Sequence, residues 1–314
     1  MMGSRQITEG ALMTGLYLIL LLINVFVPFI GAVVFFVLPV PFILYSYRHG
    51  WKPGLTMLIV AAILSSLFAT IYSLPVTLMI GSGGLFVGAA MHRKRSAYET
   101  WAAGTVGFTL GIVSLFLITQ LLFDINWIEE IRTLLDESFS MTEQMMKNFM
   151  GSSETSDEQL QALREQIRQF PDIIPSLFAI MGIAMAFLSQ WIGYKIINRI
   201  DQQNFHFTKF RNYKLPTAVL WYYFLGMIAS WMFTESDNMI YIAGLNIFIV
   251  TGLLIALQGF AFIFYYAYVK KLSKAVPIIS VVITILFPGL LLYLIRILGI
   301  IDIGFSLRER IKGK

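Results

Sequence analysis

Inside its apolar runs the chain places neutral polar side chains and almost no charged ones: Asn24, Ser65, Ser66, Thr70, Ser82, Gln120, Gln190, Asn246 and Gln258. Hydroxyls and carboxamides donate and accept hydrogen bonds without carrying charge, so a convergent set of them suits a neutral organic ligand. The same groups also join helices to one another. Asn24, Thr70, Ser82, Gln120 and Gln190 form the candidate ligand-binding set, drawn from the first six apolar segments and expected toward the outer half of the bundle. The sequence offers little for other chemistries. It has no cysteine, which removes disulfides, thiolate metal sites and cysteine nucleophiles together. His49, His92 and His206 fall in separate loops and predict no metal site. Neither a zinc HExxH motif nor a GxxxxGK[ST] phosphate loop occurs. Glu9, Arg296 and Asp302 stand at or near the ends of apolar segments, where an arginine snorkels and a carboxylate reaches water. The expectation is a protein that is not an enzyme, uses no metal or cofactor, and has no carboxylate relay across the membrane.

A second pattern concerns contact rather than chemistry. Small residues recur at helix-contact spacing: Ala11 and Gly15; Gly81, Gly83, Gly84 and Gly88; Ala103, Gly107 and Gly111; Gly244, Gly252, Ala256 and Gly259. Such faces let helices approach closely. Internal packing accounts for most of them. Ala11 and Gly15, on the first helix, are the candidates for contact with a partner helix.

The elements that position these residues are membrane spans. Of 314 residues, 57% are hydrophobic and 13% charged, where soluble chains carry about 25% charge. The net charge of +5 is explained by lysine and arginine gathering in cytoplasmic loops; the basic loops are short and predict no nucleic-acid binding. A span needs roughly 20 apolar residues. The predicted segments are 10–27, 30–47, 54–72, 74–91, 101–123, 174–197, 216–234, 239–268 and 276–295. Pro39 and Pro41 should kink or break the second, and Ser73–Pro75 should make a tight turn between the third and fourth. The first segment continues without a cleavage site into the second, so it reads as an uncleaved helix.

Arg48, His49 and Lys52, then His92 to Arg95, then Lys195 to Lys214, then Lys270, Lys271 and Lys274 follow the even-numbered segments. That places the N-terminus in the cytoplasm. Nine spans would put the basic tail from Arg308 to Lys314 outside, against that rule. If Pro288-Gly289 instead turns the chain back, eight full spans remain and the tail lies inside. Nine is the preferred count. The fold class is all-α: a polytopic transmembrane bundle in a five-span block (1–123), an extracytoplasmic segment (124–171) and a C-terminal block of about four spans (172–314).

The segment Asp124–Pro171 carries ten acidic and four basic residues. Trp127, Ile131, Leu134, Leu135, Phe139, Met145, Met146 and Phe149 recur mostly at three- and four-residue intervals, an amphipathic helix. Gly151-Ser152-Ser153 breaks it. Ser156 is a suitable N-cap for a second helix with Leu160, Leu163, Ile167 and Phe170 as its stripe. An acidic helical hairpin against the outer face is the expectation.

Two resemblances complete the reading. The run Leu38-Pro39-Val40-Pro41 through Tyr45, Gly50 and Gly54, the opening Glu9-Gly10-Ala11-Leu12 and the pair Gly84 and Gly88 before a basic loop resemble the substrate-binding S components of energy-coupling-factor transporters. That likeness covers about the first 200 residues. The whole chain, including Leu257-Gln258-Gly259 and Gly299-Ile300-Ile301-Asp302, is similar to the YybS-like family of bacterial membrane proteins. The first resemblance implies a neutral or vitamin-like solute and a membrane coupling protein with ATPase subunits, touched through Ala11 and Gly15. S components usually have six spans, whereas this chain has about three more and an inserted outer hairpin. A non-transporting scaffold or regulator that docks a partner is the alternative.

Overall fold

The computed structural model describes residues 3–150, 170–233, 238–305 and 307–312. The described residues are helical apart from turns and loops, and no strand occurs among them. The helices are α1 (Ser4–Phe26), α2 (Ile30–Phe35), α3 (Val40–His49), α4 (Trp51–Phe68), α5 (Ser73–His92), α6 (Ala97–Phe123) and α7 (Trp127–Met150). They continue with α8 (Ile174–Ile200), α9 (Ala218–Met232), α10 (Met239–Val269), α11 (Ala275–Leu286), α12 (Pro288–Phe305) and α13 (Leu307–Lys312). Among the described residues eight segments are long and apolar enough to cross a membrane, counting α2 with α3 as one. The chain is a multi-pass helical membrane protein.

It divides into two compact units. One holds 1–171 with 177–207, and the other holds 172–176 with 208–314. Six of the eight candidate spans lie before residue 207: α1, α2 with α3, α4, α5, α6 and α8. The break between α2 and α3 falls over 36–39, ending at Pro39 as expected, because proline cannot supply the amide that would continue the ladder. α6 begins with a capping box: the Glu99 amide donates to Ser96 Oγ at 3.3 Å and the Ser96 amide donates to Glu99 Oε2 at 2.9 Å.

α5 sits at the centre of the first unit, packed against α3, α4 and α6. Its contact with α3 depends on glycine. A Cβ at Gly84 would lie 2.8 Å from Phe42 Cβ, and one at Gly88 2.7 Å from Ser46 Cβ. The facing stripe on α6 is Gly104, Gly107 and Gly111, all buried. Gly107 and Gly111 are as read in the sequence; Gly104 joins them, while Ala103 is half-buried at the edge of the same face, beside Phe86, Ala89 and Ala90. Tyr17, Phe42, Leu38 and Ile80 form a fully buried core between these helices.

In the second unit α9 and α10 run antiparallel. A Cβ at Gly226 would meet the Gly244 carbonyl at 2.9 Å. The C-terminal stretch corrects the preferred count of nine. The chain breaks at Phe287, and α11 and α12 stand in place of a single helix over 276–295. With 12 residues, α11 is about 18 Å long, short of the roughly 30 Å hydrocarbon core. α12 then runs parallel to α10: Arg296 lies at Gly252, Gly299 at Ile255, Asp302 at Gln258 and Arg308 at Tyr265. Steps of three along α12 (296, 299, 302) are matched by steps of three along α10 (252, 255, 258), and Arg308, in α13, continues the same direction. The end of α12 therefore returns to the end of α10 that carries Lys270, Lys271 and Lys274. The chain therefore turns back at Pro288, as the eight-span alternative expected, and Pro288 opens the returning helix as its first residue, where the missing amide costs nothing. The eight candidate spans among the described residues include α12 and leave out α9, which has 15 residues.

The first half of the acidic segment forms α7 as expected. Its Ile131, Leu135 and Phe139 are the less exposed stripe, with Phe139 buried, while Leu134, Met141 and Met145 stand exposed. The second helix of the expected hairpin falls on 151–169, outside the described residues.

Candidate functional site

Charged side chains from several helices of the first unit meet at one end. His49 Nε2 is 2.8 Å from Glu9 Oε2, and Arg48 donates from Nη2 to Asp201 Oδ1 at 2.6 Å and from Nε to Oδ2 at 3.2 Å. Tyr45 OH donates to the Gln6 carbonyl at 3.1 Å, and His92 Nδ1 lies 2.8 Å from the Tyr47 carbonyl. The start of α1 and the ends of α3, α5 and α8 thus share one basic end, and Glu9 is neutralised there rather than buried in the bilayer.

The five candidate ligand residues do not converge. Asn24 ties the end of α1 to α2, its Nδ2 donating to the Gly31 carbonyl at 2.8 Å. Thr70 is exposed in the α4–α5 turn, and its carbonyl accepts from Ser73 Oγ at 2.6 Å. Gln120 is exposed in the last turn of α6. Ser82 Oγ sits between α5 and α6, 3.0 Å from both the Met79 and Gly107 carbonyls. Gln190 lies toward the basic end: fully buried, it donates from Nε2 to the Ala97 carbonyl at 2.8 Å and to Tyr194 OH at 2.7 Å. Its Oε1 is buried without a hydrogen-bond partner. Ser82 and Gln190 therefore act as contacts between or along helices. Depth along the chain separates Gln190 from the other four.

Sequence reasoning passed over a better-connected polar line. Tyr17 OH donates to Thr77 Oγ1 at 2.8 Å, and Thr77 Oγ1 is 2.9 Å from Ser65 Oγ and 2.8 Å from the Ser73 carbonyl. The three residues are fully buried and join α1, α4 and α5. A phenol in the middle of an apolar segment was the available signal, because its hydroxyl must find a partner when buried.

Ala11 and Gly15 sit differently from the other small residues. They line a groove of about 400 Å³ between α1 and α4, with Thr14, Tyr45, Met57 and Val60. A Cβ at Gly15 would meet nothing within 4 Å. Ala11 is exposed. No helix of the described chain fills this face.

In the second unit the signal missed was Arg296. Instead of marking a span end, it is near the middle of α12, against Gly252 and 5.9 Å from the Phe248 ring. Asp302 is buried as well, at 3% exposure, and accepts from Gln258 Nε2 and from Arg308 Nε. Arg308 Nη1 in turn donates to the Arg211 carbonyl at 2.8 Å.

The model of a family described as "Predicted membrane protein (DUF2232)" matches residues 15–303. This chain belongs to that family. It is also 31% identical over 312 residues to the uncharacterized protein YybS of Bacillus subtilis (strain 168), covering 99% of this chain and 100% of the relative. The family match takes in Gly15, the Tyr17–Thr77 line, Gln258 and Asp302, but not Ala11 or Arg308. No solved structure matches.

Proposed function

We propose that this family member is a bacterial cell-membrane protein, N-terminus and basic loops cytoplasmic, whose first unit binds a small neutral or vitamin-like solute and works with a membrane partner. The partner is a coupling protein carrying ATPase subunits, and it contacts α1, in the manner implied by the resemblance to S components. The observation that carries this reading is the unfilled groove at Ala11 and Gly15, a small-residue face suited to the ridge of another helix. The six candidate spans gathered before residue 207 support it, since that is the usual span number of S components. The chain itself is not proposed to catalyse a reaction or to hold a cofactor.

A second reading has its own support. The polar groups inside the first unit hydrogen-bond to one another, as in the Tyr17–Thr77–Ser65 line, which is how a bundle built as a scaffold or regulator would use them. Both readings need the α1 face; only the first needs a solute. Gentle purification followed by mass spectrometry, for bound small molecules and for co-purifying subunits, separates them. A retained solute with ATPase subunits supports transport. Partner subunits without any solute support the scaffold, and neither in repeated preparations overturns both.

A further inference from the structure

We propose that the second unit holds an anionic phospholipid at its basic end. A cavity of about 640 Å³ lies between the end of α10, the turn at Phe210–Asn212 and the start of α11. Four cations line it, Lys209, Arg211, Lys271 and Lys274, and no acidic residue among the described residues does. The rest of the wall is apolar, including Phe264, Pro277 and Ile278. Cations above an apolar wall at a span end match the two parts of a phospholipid: a charged phosphate and its acyl chains. A free phosphate would use only the upper part. The exposed apolar face of α11 continues below, with Ile278, Val282 and Ile285 available to the chains.

The cationic rim is built rather than incidental. The guanidinium carbon of Arg211 rests 3.5 Å from the centre of the Tyr268 ring, which fixes its fork in place. Its carbonyl accepts from Arg308, which Asp302 and Gln258 hold in turn. Phe210 packs edge-on against Phe264 at 5.5 Å, closing the adjacent wall. Nothing in this arrangement neutralises Lys271 or Lys274 from within the cavity, so a phosphate would supply the missing counter-charge.

The test uses the full chain in nanodiscs of equal parts phosphatidylglycerol and phosphatidylcholine with matched acyl chains. Lipids retained after detergent release are counted by native mass spectrometry. Wild-type protein should retain phosphatidylglycerol preferentially, and K271Q/K274Q should lower that preference by roughly fivefold per charge removed. Both lysines are exposed, so the variant should melt at the wild-type temperature in neutral lipid. Wild-type preference should also weaken as salt is raised. Equal retention of the two lipids, or a preference untouched by the double substitution and by salt, overturns the proposal. Displacement of the lipid by glycerol 3-phosphate at equal concentration also overturns it, because the occupant would then be a soluble phosphate.

Discussion

Replacing Asp302 with alanine should be among the most damaging single changes in the second unit. The Asp302 side chain is 2% exposed and that of Arg308 14%, so neither charge has free access to water. Arg308 Nε lies 2.9 Å from Oδ2 and 3.2 Å from Oδ1 and makes the hydrogen bonds, while Nη2, 2.8 Å from Oδ2, adds attraction without hydrogen-bond geometry. Removing one partner of a buried pair costs about 3–5 kcal/mol. Gln258 Nε2 loses its acceptor too, worth about 1 kcal/mol. Arg308 stands close to the basic end and can swing outward, so the low end of the sum, about 4 kcal/mol, is expected. The double variant Asp302→Leu with Arg308→Met removes both charges and should lose far less, about 1–2 kcal/mol, for a favourable coupling of at least about 2 kcal/mol. Equilibrium unfolding of wild type, both single variants and the double variant in one detergent measures the cycle. Additive losses would refute the reasoning that Asp302 and Arg308 act as a buried pair.

Other expectations follow from the packing. Gly88→Leu drives a side chain into Ser46 and the Ile43 carbonyl, and overpacking of this kind costs about 1–3 kcal/mol; Gly15→Leu, facing open space, should leave the unfolding midpoint of the isolated protein near wild type. Gln190→Leu removes the donor to Ala97 and Tyr194 and also removes a buried orphan oxygen. The two effects offset, so a loss under about 1 kcal/mol is expected in the same unfolding assay. Reporters fused after Lys271 and after Lys314 should report the same side of the membrane. Opposite sides would contradict the returning α12.

The sequence was most legible where a residue acts through its own backbone. Proline at 39 stops a helix wherever it is placed; Ser96 with Glu99 caps α6 by local geometry alone too, a signal that a segment begun at 101 passes over. Hydropathy was less informative at the C-terminus. The run 276–295 carries no charge, and Pro288-Gly289 allows a return without requiring one, so composition alone leaves one crossing and a short helix followed by a return both open. The direction of α12 is set by Gly299 against Ile255 and Asp302 against Gln258, contacts about 44 positions apart along the chain. The same error displaced Arg296 from the middle of a helix to a supposed span end. Candidate ligand residues were chosen by type, whereas their use depends on facing. Gln190 turns toward α6 and Gln120 outward. Tyr17, whose hydroxyl ties three helices together, was hidden among apolar neighbours.

The central claim is that α1 docks a membrane partner through Ala11 and Gly15. The direct measurement is quantitative mass spectrometry of subunits co-purifying with wild type and with Gly15→Leu, from the native membrane at matched protein levels. Wild type should bring down a membrane coupling protein with ATPase subunits, and Gly15→Leu should lose them by tenfold or more, since a leucine side chain would fill the groove that the partner helix needs. Equal recovery with both proteins, or no such subunits with wild type, would contradict the claim.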